Sequence, residues 1–75
     1  MKRLTNYALN NLFLLRKRGP QRSSELAAGS FYAPGTVSAG MSQLHKAGLV
    51  DWNEITCVYT INAAGLAVLA AEVDR

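Results

Sequence analysis

The sequence predicts a small α+β domain, mainly helical with a two-stranded β-hairpin, in the order helix, helix, helix, strand, strand, helix. Two observations predict it. Apolar residues recur every three or four positions up to about residue 47 and again after residue 62, the spacing of helices with one buried face. Between residues 49 and 61 the period drops to two, and β-branched and aromatic residues take over, as in strands. Size bounds the answer further: 75 residues make a single domain, residues 1–75, with a thin core that hides only about 60% of the unfolded surface.

The first helix runs from Thr5 to Arg18. Tyr7, Ala8, Leu12, Phe13 and Leu15 supply its apolar face, with Asn6, Asn10, Asn11, Lys17 and Arg18 between them. Thr5 can cap its start. Gly19-Pro20 stops it, because Gly accepts a left-handed turn and Pro cannot continue a helix. Arg16, Lys17 and Arg18 fall in the last turn, where cations also complement the helix dipole. The second helix is short: Ser23 is the expected N-cap, Glu25 sits in the first turn, Leu26-Ala27-Ala28 is apolar and Gly29 ends it. Ser30-Phe31-Tyr32-Ala33 connects it to the third, and its aromatic pair is expected to plug the edge of the core.

Pro34 opens the third helix, since its missing N–H would be unpaired there anyway. This helix extends to about Ala47 and stops at Gly48, with Val37, Met41 and Leu44 inward and Gly40 kept for close approach of another helix. The opposite face is Gly35, Ala39, Ser42 and Lys46, flanked by Thr36, Ser38 and Gln43. Leu49 to Trp52 and Ile55 to Ile61 read as strands joined at Asn53-Glu54, with Cys57, Tyr59 and Ile61 on one side and Val58 and Thr60 on the other. Asn62 can cap a last helix from Ala63 to about Asp74, with an apolar stripe of Leu66, Leu69, Ala70 and Val73.

Small domains usually carry a staple. One Cys excludes an internal disulfide, and one Cys with one His cannot assemble a four-ligand zinc site. A self-sufficient fold or a homo-oligomer remains. The lone thiol suits a reducing cytoplasm. A hydrophobic content of 49% excludes a disordered tail, and no apolar run approaches the roughly 20 residues that span a bilayer. The basic start runs into Asn6, Asn10, Asn11 and the Arg16-Lys17-Arg18 triplet, so no signal peptide is expected.

Charge is unevenly spread. The net charge is +3. Up to Val50, the residues Lys2, Arg3, Arg16, Lys17, Arg18, Arg22 and Lys46 stand against Glu25 alone, a net of +6; from Asp51 onward Asp51, Glu54, Glu72 and Asp74 stand against Arg75, a net of −3. The basic part suits a polyanion and the acidic part does not. The blander explanation is a solvated surface with chance clustering.

Ser24-Glu25-Leu26-Ala27, Gly35-Thr36-Val37-Ser38 and Leu44-His45-Lys46-Ala47-Gly48-Leu49-Val50 occur in an order and spacing that resembles small bacterial and phage winged helix-turn-helix regulators. Tyr59-Thr60-Ile61-Asn62-Ala63-Ala64-Gly65 is similar to the exit from the wing into the last helix of MarR- and PadR-like regulators. The resemblance covers nearly the whole chain. It implies a DNA-binding transcriptional regulator whose third helix lies in the major groove. Two features depart from the family. The hairpin tip, Trp52-Asn53-Glu54-Ile55, is short and acidic, so phosphate would repel it. The flanking helices that build the large MarR dimer interface are missing.

On that reading Thr36, Ser38, Ala39, Ser42 and Gln43 face the bases, with Gln43 suited to adenine and Ala39 to a thymine methyl. Arg16, Lys17, Arg18, Arg22, Ser23, Ser24 and Lys46 are the phosphate contacts. The outward face carries no Arg, so base readout per copy is modest. A homodimer through the terminal helices, on a palindrome with half-sites about 34 Å apart, would repair this. The expected partner is double-stranded DNA, the expected place the cytoplasm (associated with the nucleoid), and no cofactor is expected. The competing reading is a winged-helix adaptor for protein, with Trp52, Tyr32 and Phe31 as anchors if they are not core. An enzyme fails on inventory. His45 and Cys57 are the sole imidazole and thiol, on separate elements, with His45 expected at a helix end and Cys57 as a small buried hydrophobe.

Overall fold

The computed structural model describes residues 4–73. Within them the order is α1 (Asn6–Arg18), β1 (Gln21–Arg22), α2 (Ser23–Ala28), α3 (Pro34–Lys46), β2 (Val50–Asn53), β3 (Val58–Ile61) and α4 (Ala63–Val73). The architecture is α+β, as expected: four helices and an antiparallel sheet. The sheet has three strands in the order β1-β3-β2, where the sequence predicts two. Gln21 and Arg22 pair with Tyr59 and Val58 on the free edge of β3. A two-residue strand cannot show a period of two, so it left no pattern to read. Gln21 is held there by its own side chain, whose amide donates to the carbonyls of Leu14 (3.2 Å) and Gly19 (3.3 Å).

Helix α1 starts and stops where the chemistry places it. The Thr5 hydroxyl accepts from the Ala8 N–H at 3.4 Å, and Gly19 turns the chain at φ +85. Its buried face differs in detail: Leu14 is inside, while Phe13 is 40% exposed and lies under the Arg16 guanidinium and the Lys17 ammonium. Asn11, expected among the polar spacers, is fully buried and donates to the Val37 carbonyl at 3.0 Å. That hydrogen bond offsets the desolvation of its amide N–H. In α2 the cap is Arg22 rather than Ser23: Arg22 holds the extended backbone, and the Glu25 carboxylate accepts from its N–H at 3.0 Å. The connector splits its aromatic pair. Tyr32 is half-buried against the core and edge-on to Tyr7, whereas Phe31 is 96% exposed and plugs nothing.

Helix α3 buries Val37, Gly40, Met41 and Leu44. Gly40 is the close approach that α1 needs: a Cβ there would lie 3.3 Å from the Ala8 Cα and 2.6 Å from the Asn11 amide nitrogen. The hairpin turn is longer than two residues. Asn53 ends β2, its Oδ1 accepts from the N–H groups of Ile55 and Thr56, and its carbonyl accepts from Cys57. This self-bonded asparagine turn consumes residues 54–57. Cys57 therefore stands in the turn, at φ +59 and exposed, instead of on the buried side of β3. Trp52, which the sequence allows as core or as an anchor, is 44% exposed and rests on its cross-strand partner Tyr59.

Asn62 caps α4 by accepting from the Gly65 N–H at 2.9 Å. The buried stripe of α4 is rotated from the expected one: Gly65 and Leu69 are inside and Val68 partly so, while Leu66 (44% exposed) and Ala70 face out. The cause is Gly65, which lets α4 lie directly against the Leu49 carbonyl. The Val73 side chain and Asp74 lie outside the described residues. Leu12, Leu15, Leu26, Val37, Met41 and Leu44 form the centre of the core, with Leu49, Val50 and Leu69 around them.

Candidate nucleic-acid interface

Helix α3 has a wholly buried face, so its other face is fixed in direction. Gly35, Ser38, Ala39, Ser42, His45 and Lys46 are exposed, and Thr36 and Gln43 are half-buried at its flank. Three of the five residues expected at the bases thus stand outward on one helix surface. Gln43 lies toward the start of α1.

Gln43 has a partner. Its Oε1 accepts from the Thr5 hydroxyl at 2.8 Å and from the Thr5 N–H at 3.4 Å. A bidentate pair with adenine needs both ends of the amide, so it would require this bond to break. The same threonine caps α1, and one hydroxyl therefore sets the helix start and its distance from α3. Contacts of Thr5 with Gln43, Ala8 with Gly40 and Asn11 with Val37 show the two helices running in opposite senses. Between them opens a groove of about 510 Å³, lined by Leu4 just before α1, by Tyr7 in its first turn, and by Ala39, Ser42, Gln43 and Lys46 of α3. Leu4 and Tyr7 were not among the sequence-derived site residues. Tyr7 fitted the apolar period of α1, and nothing local marks a residue that borders another helix's outer face.

The basic residues are spread around α3. Lys46 is exposed in its last turn. Because α1 runs opposite to α3, the exposed Arg16, Lys17 and Arg18 lie beyond the other end of α3. The triplet is divided: Arg16 and Lys17 cover Phe13, while Arg18 reaches across to Gly29, where a Cβ would overlap its guanidinium. Ser24 is exposed in the first turn of α2, and the Ser23 hydroxyl lies 3.4 Å from that of Ser38. Arg22 is exposed in β1, and its Nε donates to the Thr56 carbonyl at 3.0 Å. The hairpin turn, acidic in its own sequence at Glu54, thereby gains a guanidinium from another strand.

Compared with protein-family models, with curated proteins and with solved structures, the chain matches none. What it does is therefore read from its own geometry. Among the described residues no helix is long and apolar enough to cross a membrane.

Proposed function

We propose that this chain is a winged helix-turn-helix DNA-binding domain of a transcriptional regulator, with α3 in the major groove and the β2–β3 hairpin as a short wing. The observation that carries the reading is the exposed face of α3: small and hydroxyl side chains with His45, no carboxylate, Lys46 in the last turn and the Arg16, Lys17 and Arg18 cations beyond the start. The B-DNA major groove, about 12 Å wide, admits a helix with such a face. Ser38 and Ser42 bond to base edges or phosphates, and Ala39 offers apolar contact. Arg16, Lys17, Arg18, Arg22, Ser24 and Lys46 hold the backbone, which adds affinity without sequence information.

Two copies on a palindrome supply the readout that one copy lacks. Ala63, Leu66, Ala67 and Ala70 recur at helical spacing on the exposed side of α4 and form a self-complementary surface for a two-fold dimer. On this reading the protein works at the nucleoid, in the cytoplasm.

Retention on nonspecific duplex DNA, measured against salt, tests the proposal. Binding at low salt with a steep loss as salt rises is the expected result. Replacing Arg16, Lys17 and Arg18 together by Ala flattens that dependence, whereas an unaltered slope leaves the triplet as a helix-end feature. A second reading has its own observation: Phe31 is 96% and Ile55 90% exposed, the kind of apolar anchors a protein adaptor uses. No retention at low salt would remove the DNA reading in favour of the adaptor.

A further inference from the structure

Resting on the DNA-binding reading, the geometry points to the base that is read. We infer that the groove between the start of α1 and the outer face of α3 recognises the C5-methyl group of thymine. Leu4, just before α1, and Tyr7 of α1 join Ala39 of α3 as specificity-determining residues.

Elimination comes first. Sequence is read in the major groove by an Arg or Lys fork on guanine, an Asn or Gln amide on adenine, a carboxylate on cytosine, or an apolar contact with the thymine methyl. The outer face of α3 carries no Arg, no Asn and no carboxylate, and its exposed His45 does not line the groove. Its one amide, Gln43, is held at Oε1 by Thr5. Lys46 is the last residue of α3, at the end of the groove, where a flexible ammonium meets phosphate. Ser38 and Ser42 can bond to any base and discriminate little. Within the groove, apolar contact is the remaining code.

The apolar surface on this face is concave and built in advance. Leu4, Tyr7 and Ala39 line the groove. The Tyr7 ring is fixed from two sides: Tyr32 meets it edge-on at 6.2 Å between centroids, and the missing Cβ of Gly40 leaves the space it occupies, since a Cβ would lie 3.0 Å from its Cδ2. The Thr5–Gln43 hydrogen bond holds the α1 wall against α3. A wall ordered before binding loses no further rotamer freedom on contact. Gln43 is thus a positioning residue for the groove rather than a reader of adenine.

The test begins with selection of randomised duplexes by the full chain. Each selected thymine is then replaced, one at a time, by deoxyuridine, which pairs identically and lacks only the methyl group. Thymine is enriched in the consensus. At one or two positions per half-site, deoxyuridine lowers affinity roughly fourfold, the worth of one buried methyl. Ala39→Ser and Leu4→Gln both bring the thymine-to-deoxyuridine ratio toward one. Thermal unfolding checks that each variant is folded, and Ala39→Ser, at an exposed position, keeps the test decisive if Leu4→Gln is not. Sequence preference with every deoxyuridine tolerated overturns the inference and leaves the DNA reading standing, as does a consensus built on guanine. An unchanged ratio in folded Ala39→Ser removes the groove from the readout. No duplex binding at any salt overturns both.

Discussion

At Gly65, Gly40 and Gly35 a single methyl group has three different consequences. A Cβ on Gly65 would overlap the Leu49 carbonyl and lie 2.8 Å from the Ile61 side chain. Backbone oxygen cannot swing aside, so Gly65→Ala pushes α4 off the sheet and costs about 1–3 kcal/mol. On Gly40 the gain in helix propensity, about 1 kcal/mol, works against contacts with the Ala8 backbone and a buried Asn11. Gly40→Ala is therefore net destabilising, and it also displaces Tyr7. Gly35 has nothing within 4 Å, so Gly35→Ala leaves packing intact and stabilises by up to about 1 kcal/mol. Thermal unfolding reads the series, because 1 kcal/mol moves the midpoint by roughly 4–8 °C in a domain this small. Equal midpoints for the Gly65 and Gly35 variants would contradict it. The need for a small residue at Gly40 was legible from its place on the inward face of α3. That at Gly65 was not, because its neighbour is a carbonyl sixteen residues away in the chain.

Among the elements, β1 does most to change the surface that the sequence implied. Two residues of strand place Arg22 against the hairpin turn, where its Nε donates to the Thr56 carbonyl. The hairpin turn is then not the purely acidic tip that its own sequence suggests, because a cation from β1 is bonded to it. Arg22→Ala is expected to lower the slope of log affinity against log salt by about 0.9, one phosphate contact. Arg22→Lys keeps the charge and restores the slope. Stability changes little in either variant, since the bond is exposed. Were the slope the same in Arg22→Ala, the residue would be a strut for the hairpin and no more. The helices α1 and α3 were legible because each carries a cap or stop residue and a long apolar period. The hairpin turn was not, because the Asn53 side chain bonds to its own backbone and turns four residues where a two-residue turn was expected.

For the whole molecule, the question is how a 75-residue chain without a disulfide stays folded. The core of helices α1–α3 is closed by the sheet and α4, and α4 leaves Ala63, Leu66, Ala67 and Ala70 exposed. Leu66→Glu places a charge in the centre of that surface. A drop in solution mass from two chains to one, with weaker binding to a palindrome and an unfolding transition that stays cooperative, is the expected result. A mass of one chain before the substitution would remove α4 as the dimer surface. Charge adds to this picture: the first fifty residues carry +6 and the rest −3. On the proposed reading, the net +3 therefore understates the attraction between the first fifty residues and a polyanion.

By itself the sequence determined the helix and strand periods, the caps at Thr5 and Asn62, the stop at Gly19 and the division of charge. All of these depend on interactions within a few residues, where spacing along the chain equals spacing in space. Only the tertiary structure decided that Gln43 holds Thr5, that Arg22 serves the hairpin, that Cys57 and Phe31 face solvent and that Leu4 and Tyr7 border the face of α3. Each of these pairs groups far apart in the chain or turns on which side of an element is covered. The physical reason is that burial and hydrogen-bond partners are chosen by packing among elements, and the period of one element marks a buried face without naming what packs on it.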